Sequence, residues 1–213
     1  MNFEAALFDL DGTLIDSISV WRRVDEAFLA KRGIEVPDDY MKAISSMNFY
    51  QAAEYSINRF GFQEATEDIV QEWREMVYHE YANNIPLKES VEEYLSYLKQ
   101  KGIKIGLCTA SPEDLYEAVL KNNGIYHLFD AFSSTEEVAR GKGFPDVYLH
   151  TAKKLGIEPE KCVVFEDILP GIKGAKAANM LAVGVYDKES ETDKDKIESL
   201  ADYYLYQFSE LME

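Results

Sequence analysis

The chain has 213 residues, 46% of them hydrophobic, which is enough apolar material for a packed core and excludes a disordered class. With 39 acidic against 22 basic residues the formal net charge is -17, so nucleic acid and anionic membrane surfaces, which demand a basic face, are not expected partners. No apolar run reaches bilayer length and no basic leader precedes one, and the expectation is a soluble, cytoplasmic protein.

Taken in chain order, short apolar runs bounded by turn residues lie at Glu4 to Asp9, Ile103 to Thr109, Cys162 to Glu166 and Ala182 to Val185. Each reads as a strand buried on both faces. Helical periodicity occupies Val91 to Lys101, Pro112 to Asn123, Pro145 to Leu155 and Gly171 to Asn179. Gly102 and Gly156 punctuate the helix ends. Strand alternating with helix predicts an α/β fold, a Rossmann-like parallel sheet with helices on both faces. Cys108 and Cys162 sit in or beside apolar runs and read as small buried hydrophobes of a reducing compartment.

One region breaks the alternation. Ser17 to Lys31, Gln51 to Phe60 and Glu67 to Tyr81 all carry apolar residues at helical spacing, with no strand pattern between Ile15 and Pro86. This is too much chain for one crossover, and it predicts a small helical domain, 17–85, inserted into a core built from 1–16 and 86–213. The run "DKESETDKDK", Asp187 to Lys196, mixes charges and reads as a solvated loop and helix start.

Ligands of open parallel sheets bind beyond the carboxyl ends of the strands. Those ends carry Asp9 and Asp11, then Thr109, Ala110 and Ser111, then Glu166 and Asp167; Lys142 lies in "GKGFPD" between the last two groups. Carboxylates gathered at one edge require a cation, and oxygen ligands with no histidine beside them favour Mg²⁺ over zinc. Thr109, with the N–H groups of Ala110 and Ser111 at a helix start, forms a candidate phosphate site, with Ser111 as N-cap and Pro112 at the first helical position. Lys142 offers a point charge for a transferring group. An EF-hand is excluded, since its sixth and twelfth positions counted from Asp9 hold Leu14 and Val20. "GIKGAKAA" reads as close helix packing, and His79, His127 and His150 as surface or half-buried residues without chemistry.

"DLDGT", "CTAS", "KGFPD" and "VVFEDILPGIKGA" together resemble, in order and spacing, the motifs of the haloacid dehalogenase superfamily of phosphatases. The insert after the first motif resembles the cap of the subfamily that includes β-phosphoglucomutase and sugar phosphatases. The resemblance implies that Asp9 is a nucleophile forming an aspartyl phosphate. It makes Asp11 the acid that protonates the leaving group and then the base that activates water. Mg²⁺ would be held by Asp9, Asp11 through its backbone carbonyl, and Asp167, with Glu166 as a further or outer ligand. Thr109 and Lys142 would bind the phosphoryl group. The dehalogenase reaction fits less well, because Asp11 and Asp167 both favour phosphoryl transfer.

The same resemblance implies a cap that closes over the site and selects the substrate. Trp21 in "DSISVWRR" and Ser45, Ser46, Asn48 and Tyr50 in "ISSMNFYQ" are the candidate substrate residues; most other cap aromatics read as its core. A mutase must hold a second phosphate, yet no cation lies between Ala43 and Asn58, and only Lys42, Arg22 or Arg23 could substitute. Hydrolysis of a small-molecule phosphomonoester by a monomer or weak homo-oligomer is therefore the first expectation. A sugar-phosphate mutase is the second, and a non-catalytic phosphate-binding regulatory domain the alternative of another class.

Overall fold

The structure is a computed structural model that describes residues 3–44 and 49–212. Strands β1 (Ala5–Phe8), β2 (Lys104–Thr109), β3 (Ala131–Ser134), β4 (Cys162–Glu166), β5 (Leu181–Val185) and β6 (Tyr203–Leu205) form a sheet in the order β3-β2-β1-β4-β5-β6. Every neighbouring pair is parallel. The chain divides into two compact units, residues 1–17 with 85–213, and residues 18–84.

β1 is a central strand, and its four residues, Ala-Ala-Leu-Phe, are all buried. The two faces of the sheet follow from side-chain alternation. Phe8 pairs in register with Phe165 of β4, and their rings stack at 4.6 Å. On that face they meet Tyr94 of α5 (Val91–Gln100) and Phe208 near the C-terminus. The opposite face carries Leu7 and Val164, which are buried among Val147 and Tyr148 of α7 (Asp146–Leu155) and Ile172 and Ala175 of α8 (Leu169–Ala177). Continued one step along each strand, that second face receives Asp9 and Glu166.

Helices α6 (Glu113–Asn122) and α9 (Lys194–Leu200) complete the regular helices of this unit among the described residues. β3 and β6 lie outside the sequence expectation. Both are edge strands, of four and three residues, and an edge strand needs no continuous apolar run: Tyr203 is half exposed and Phe132 only partly buried. Cys108 and Cys162 are buried as expected, and burial pushes their thiols up to about 12 and about 11, so neither is a thiolate at neutral pH. Among the described residues no helix is long and apolar enough to cross a membrane.

The second unit contains α1 (Ile18–Ala30), α2 (Tyr40–Ile44), α3 (Phe49–Phe60) and α4 (Thr66–Asn83). α2, five residues long, is too short to show a period in the sequence. The unit's core is aromatic: Phe28, Tyr40, Trp73 and Tyr81 are buried, and the Phe28 ring meets Trp73 at 5.0 Å. Arg32 covers the Phe28 ring at 3.8 Å and pairs with Glu64 and Glu72. The Tyr40 and Ser56 hydroxyls hydrogen-bond at 2.8 Å.

Asp25, also buried in this unit, has no cation paired with it among the described residues, and burial pushes its carboxyl up to about 7. The folded state therefore holds this proton more tightly than the unfolded chain, whose carboxyl titrates near 4. The contribution to stability is complete below that value and is lost as pH rises through about 7. Asp25→Asn removes this dependence. Its thermal unfolding midpoint is expected to match the wild type near pH 4 and to exceed it at pH 8, by an amount equivalent to about 2–4 kcal/mol. Midpoints that differ equally at both pH values would contradict the assignment.

Candidate active site

The strand order reverses at β1, whose neighbours are β2 on one side and β4 on the other. This is the switch point at which open parallel sheets bind ligands. Asp9 extends β1 by one residue, its N–H donating to Phe165 O at 3.0 Å, which brings it beside Glu166. Asp167 follows directly. The carboxylates of Asp9, Glu166 and Asp167 are all buried and present oxygens within 4.8 Å of one another.

Lys142 is the cation set against them. Its Nζ donates to Asp9 Oδ1 and lies 2.8 Å from Glu166 Oε1, and its side chain is only 9% exposed. The neighbouring carboxylates hold the ammonium well above its ordinary range, overcoming the opposing effect of burial. Glu166 also accepts from the buried Tyr148 hydroxyl at 2.9 Å. Thr13 Oγ1, fully buried, sits 3.2 Å from Asp9 Oδ2 and 3.1 Å from Asp167 Oδ1, and its one proton serves either.

Three ionised carboxylates around one ammonium would leave two negative charges uncompensated in a buried site. Burial first, and then the neighbouring carboxylates, raise Glu166 to about 7 and Asp167 well above the usual range. A divalent cation restores neutrality, and a donor set made only of oxygens fits a hard ion such as Mg²⁺. Asp9, Asp167 and Glu166 are the side chains able to hold it.

Two close approaches make the arrangement possible. Gly12 adopts φ +85°, and a Cβ there would run into Asp167 Oδ2, so the turn after Asp11 presses directly on the carboxylate. On α8, a Cβ at Gly171 would strike the Glu166 carboxylate, and one at Gly174 would strike the Lys142 carbonyl. The run read from sequence as close packing is that, and what it packs against is the site.

The remaining expected residues distribute as follows. Thr109 ends β2, and its Oγ1 accepts from Ser111 N–H at 2.9 Å. Ser111 is not the N-cap of α6: Pro112 is, its carbonyl accepting from Leu115 and Tyr116, and the Ser111 hydroxyl instead donates to Asp11 Oδ2 at 2.7 Å. With its N–H turned to Thr109 and its hydroxyl to Asp11, Ser111 holds the Asp11 carboxylate toward the end of β2, outside the acidic trio. Ala110 is exposed beside them. Trp21 and Tyr50, in the helical unit, are 44% and 49% exposed, while Ser45, Ser46 and Asn48 lie outside the described residues. Of the histidines, His79 and His127 are exposed and half-buried His150 pairs with Glu137.

Sequence reasoning gave no part to Thr13, Tyr148, Lys88 or Ser190. Thr13 and Tyr148 were visible only as motif neighbours of Asp9 and Asp146. The reading of Asp187 to Lys196 as wholly solvated is corrected. Asp187 is 5% exposed and pairs with Lys88 at 2.7 Å, and Ser190 Oγ lies 3.4 Å from Asp167 Oδ2. A mixed-charge run hides an ion pair whose partner is distant in sequence.

A parallel α/β sheet with an acidic, lysine-centred cluster at its switch point defines a class of phosphoryl-transfer core. Residues 3–179 match the haloacid dehalogenase-like hydrolase family, and the chain belongs to it. Hexitol phosphatase B of Escherichia coli K12 is 33% identical over 97% of this chain and 93% of that protein. A fructose-1-phosphate phosphatase of the same organism is 28% identical over 86% of this chain and 96% of its own. Among solved structures, CbbY from Rhodobacter sphaeroides in complex with phosphate superposes with a TM-score of 0.78 at 23% identity, covering 98% and 96% of the two chains. β-Phosphoglucomutase from Clostridium difficile gives 0.70 at 24% identity, covering 98% and 93%.

Gly174→Ala should force the Lys142 segment away from α8. The expected outcome is a loss of about 1–3 kcal/mol in urea unfolding and a fall in catalytic rate. Gly143→Ala, where the nearest neighbour of a Cβ is Pro170 Cβ at 3.9 Å, serves as the control and should leave stability within about 0.5 kcal/mol of wild type.

Proposed function

We propose that the protein is a Mg²⁺-dependent phosphatase that hydrolyses a small phosphomonoester, of the phosphorylated sugar or polyol class, through an aspartyl phosphate on Asp9. The observation that carries this reading is the pairing of two differently placed carboxylates. Asp9 is locked between Lys142 and Thr13, while Asp11, two residues on, is held apart by Ser111. One carboxylate is placed to attack and the other to move a proton.

In the first step an Asp9 carboxylate oxygen forms a bond to phosphorus as the ester P–O bond breaks, and Asp11 gives its proton to the departing alkoxide. In the second step Asp11 takes a proton from water, whose oxygen attacks the same phosphorus, and the bond to Asp9 breaks to release phosphate. Lys142 supplies positive charge to the transferring group, and Thr109 and the Ala110 and Ser111 backbone border its oxygens. When bound, Mg²⁺ offsets the negative charge of Asp9 and of the phosphoryl group so that one can approach the other. Uncatalysed phosphate-monoester hydrolysis can require a rate enhancement of up to about 10²¹, and general acid–base help supplies only about 10²–10⁴. The nucleophile, the cation and the fixed donors are all needed. Residues 18–84 take the part of the cap that selects the substrate.

The curated relatives named for hexitol and fructose-1-phosphate hydrolysis support the substrate class. Two candidate cap cations for a mutase are engaged elsewhere: Arg22 with Glu26 at 2.8 Å and Arg23 with Glu80 at 2.9 Å. That favours hydrolysis over retention of a bisphosphate. A regulatory domain without turnover has no need for Asp9, Asp11, Lys142 and Asp167 together.

With Mg²⁺, the protein should release inorganic phosphate from p-nitrophenyl phosphate and, within a panel of hexitol and hexose phosphates, show its highest kcat/KM on one member. Asp9→Asn should lower kcat at least about 10³-fold with the fold unchanged by circular dichroism. Asp11→Asn should still accumulate phosphoenzyme from p-nitrophenyl phosphate, whose leaving group needs no proton, while failing to turn over alkyl phosphates. Near-normal rates in Asp9→Asn, or an isomerised sugar phosphate in place of free phosphate, would overturn the reading.

A further inference from the structure

Lys88 stands where the chain re-enters the sheet unit, at the end of a short antiparallel bridge between Ile15 and Leu87. Its backbone N–H donates to Leu14 O at 2.9 Å, and two residues later Ser90 takes the left-handed conformation, φ +62°, that turns the chain into α5. The side chain runs the other way, toward the site. Its Nζ donates to Gly12 O and to Tyr186 O at 2.8 Å, and pairs with Asp187 Oδ2 at 2.7 Å. One ammonium thus uses all its protons on three acceptors from two loops.

Both loops end at the acidic cluster. Gly12 belongs to the turn that follows Asp9 and Asp11, and it presses on the Asp167 carboxylate. Asp187 opens the 3₁₀ turn Lys188–Asp193, its Oδ1 accepting from Glu189 N–H at 2.9 Å and its carbonyl from Ser190 N–H at 3.2 Å. That turn directs Ser190 Oγ to Asp167 Oδ2. Asp167 is therefore held from two sides, by Gly12 and by Ser190, and Lys88 is the side chain that ties those two sides together.

We propose that Lys88 is a positioning residue for the metal site: by fastening the Gly12 turn to the Asp187–Ser190 turn it fixes Asp167 and the Asp11 backbone for a divalent cation. Removing the ammonium leaves the buried Asp187 carboxylate without its cation and frees the two turns to separate. Groups that orient metal ligands from the next layer out typically change metal affinity or activity by about 10–100-fold when mutated. The proposal deepens the phosphatase reading and rests on it for the rate effect, but its binding effect is measurable without turnover.

The test uses the full chain. Mn²⁺ or Mg²⁺ is titrated into the protein without substrate, by calorimetry or by Mn²⁺ paramagnetic resonance, and p-nitrophenyl phosphate kinetics are recorded at saturating Mg²⁺. Lys88→Met should weaken metal binding about tenfold and lower kcat about tenfold, with KM within about twofold. Amide exchange of residues 187–190 should accelerate. Lys88→Arg should recover part of the metal affinity. Lys88→Met with Asp187→Asn should lose less than the sum of the two single changes, because the unpaired carboxylate is gone. If Lys88→Met does not fold, Ser190→Ala removes the last link alone and should weaken metal binding about two- to fivefold. Metal affinity and kcat within twofold of wild type in folded Lys88→Met, or for the fallback in Ser190→Ala, would overturn the proposal. A wild-type protein that binds the metal but releases no phosphate would instead overturn the phosphatase reading and leave the role of Lys88 to the metal titration.

Discussion

An excess of buried negative charge governs this molecule. Asp9, Glu166 and Asp167 share a space in which one ammonium, that of Lys142, is the buried counter-charge. Such a cluster is costly to assemble and cannot be justified by stability, since one ammonium offsets only one of three buried carboxylate charges. The surrounding structure has to hold it in place. The apolar face of Leu7 and Val164 lies directly beneath, α8 gives way at Gly171 and Gly174, and Tyr148 and Thr13 aim hydroxyls at the carboxylates.

This constraint explains much of what could be read in the sequence. A central parallel strand buried on both faces must be a continuous apolar run, so β1, β2, β4 and β5 announced themselves, and the polar residues at their carboxyl ends marked the candidate site. Asp9, Thr109, Glu166 and Asp167 were legible for that reason. β3 and β6 were not, because edge strands are freed from the requirement on one side, and the four residues of β3 include two serines. Alternation also settled something the motif could not. Asp9 and Glu166 fall on one face because Leu7 is in register with Val164, and so the lysine-bearing segment before α7 reaches both.

The residues that escaped sequence reasoning share a physical character. Lys88, Asp187 and Ser190 are ordinary surface types in polar stretches, and their contacts beside the acidic cluster come from partners far along the chain. Ser111 was expected to cap α6, and its hydroxyl instead donates to Asp11. Local patterns report which residue types can do chemistry. They do not report which hydroxyl points at which carboxylate, because that depends on tertiary packing.

The geometry also bears on the proposed reaction, whose two steps make opposite proton demands. A nucleophile works best when its charge is steadied yet still directed, and Asp9 has Lys142 on one oxygen and Thr13 on the other. An acid that must later act as a base works best when its environment is less buried. Asp11 is only partly buried, and its carboxylate accepts from the Ser111 hydroxyl. In the proposed reaction, these different surroundings, Lys142 and Thr13 at Asp9 and the Ser111 hydroxyl at Asp11, would let residues two apart in sequence take different parts.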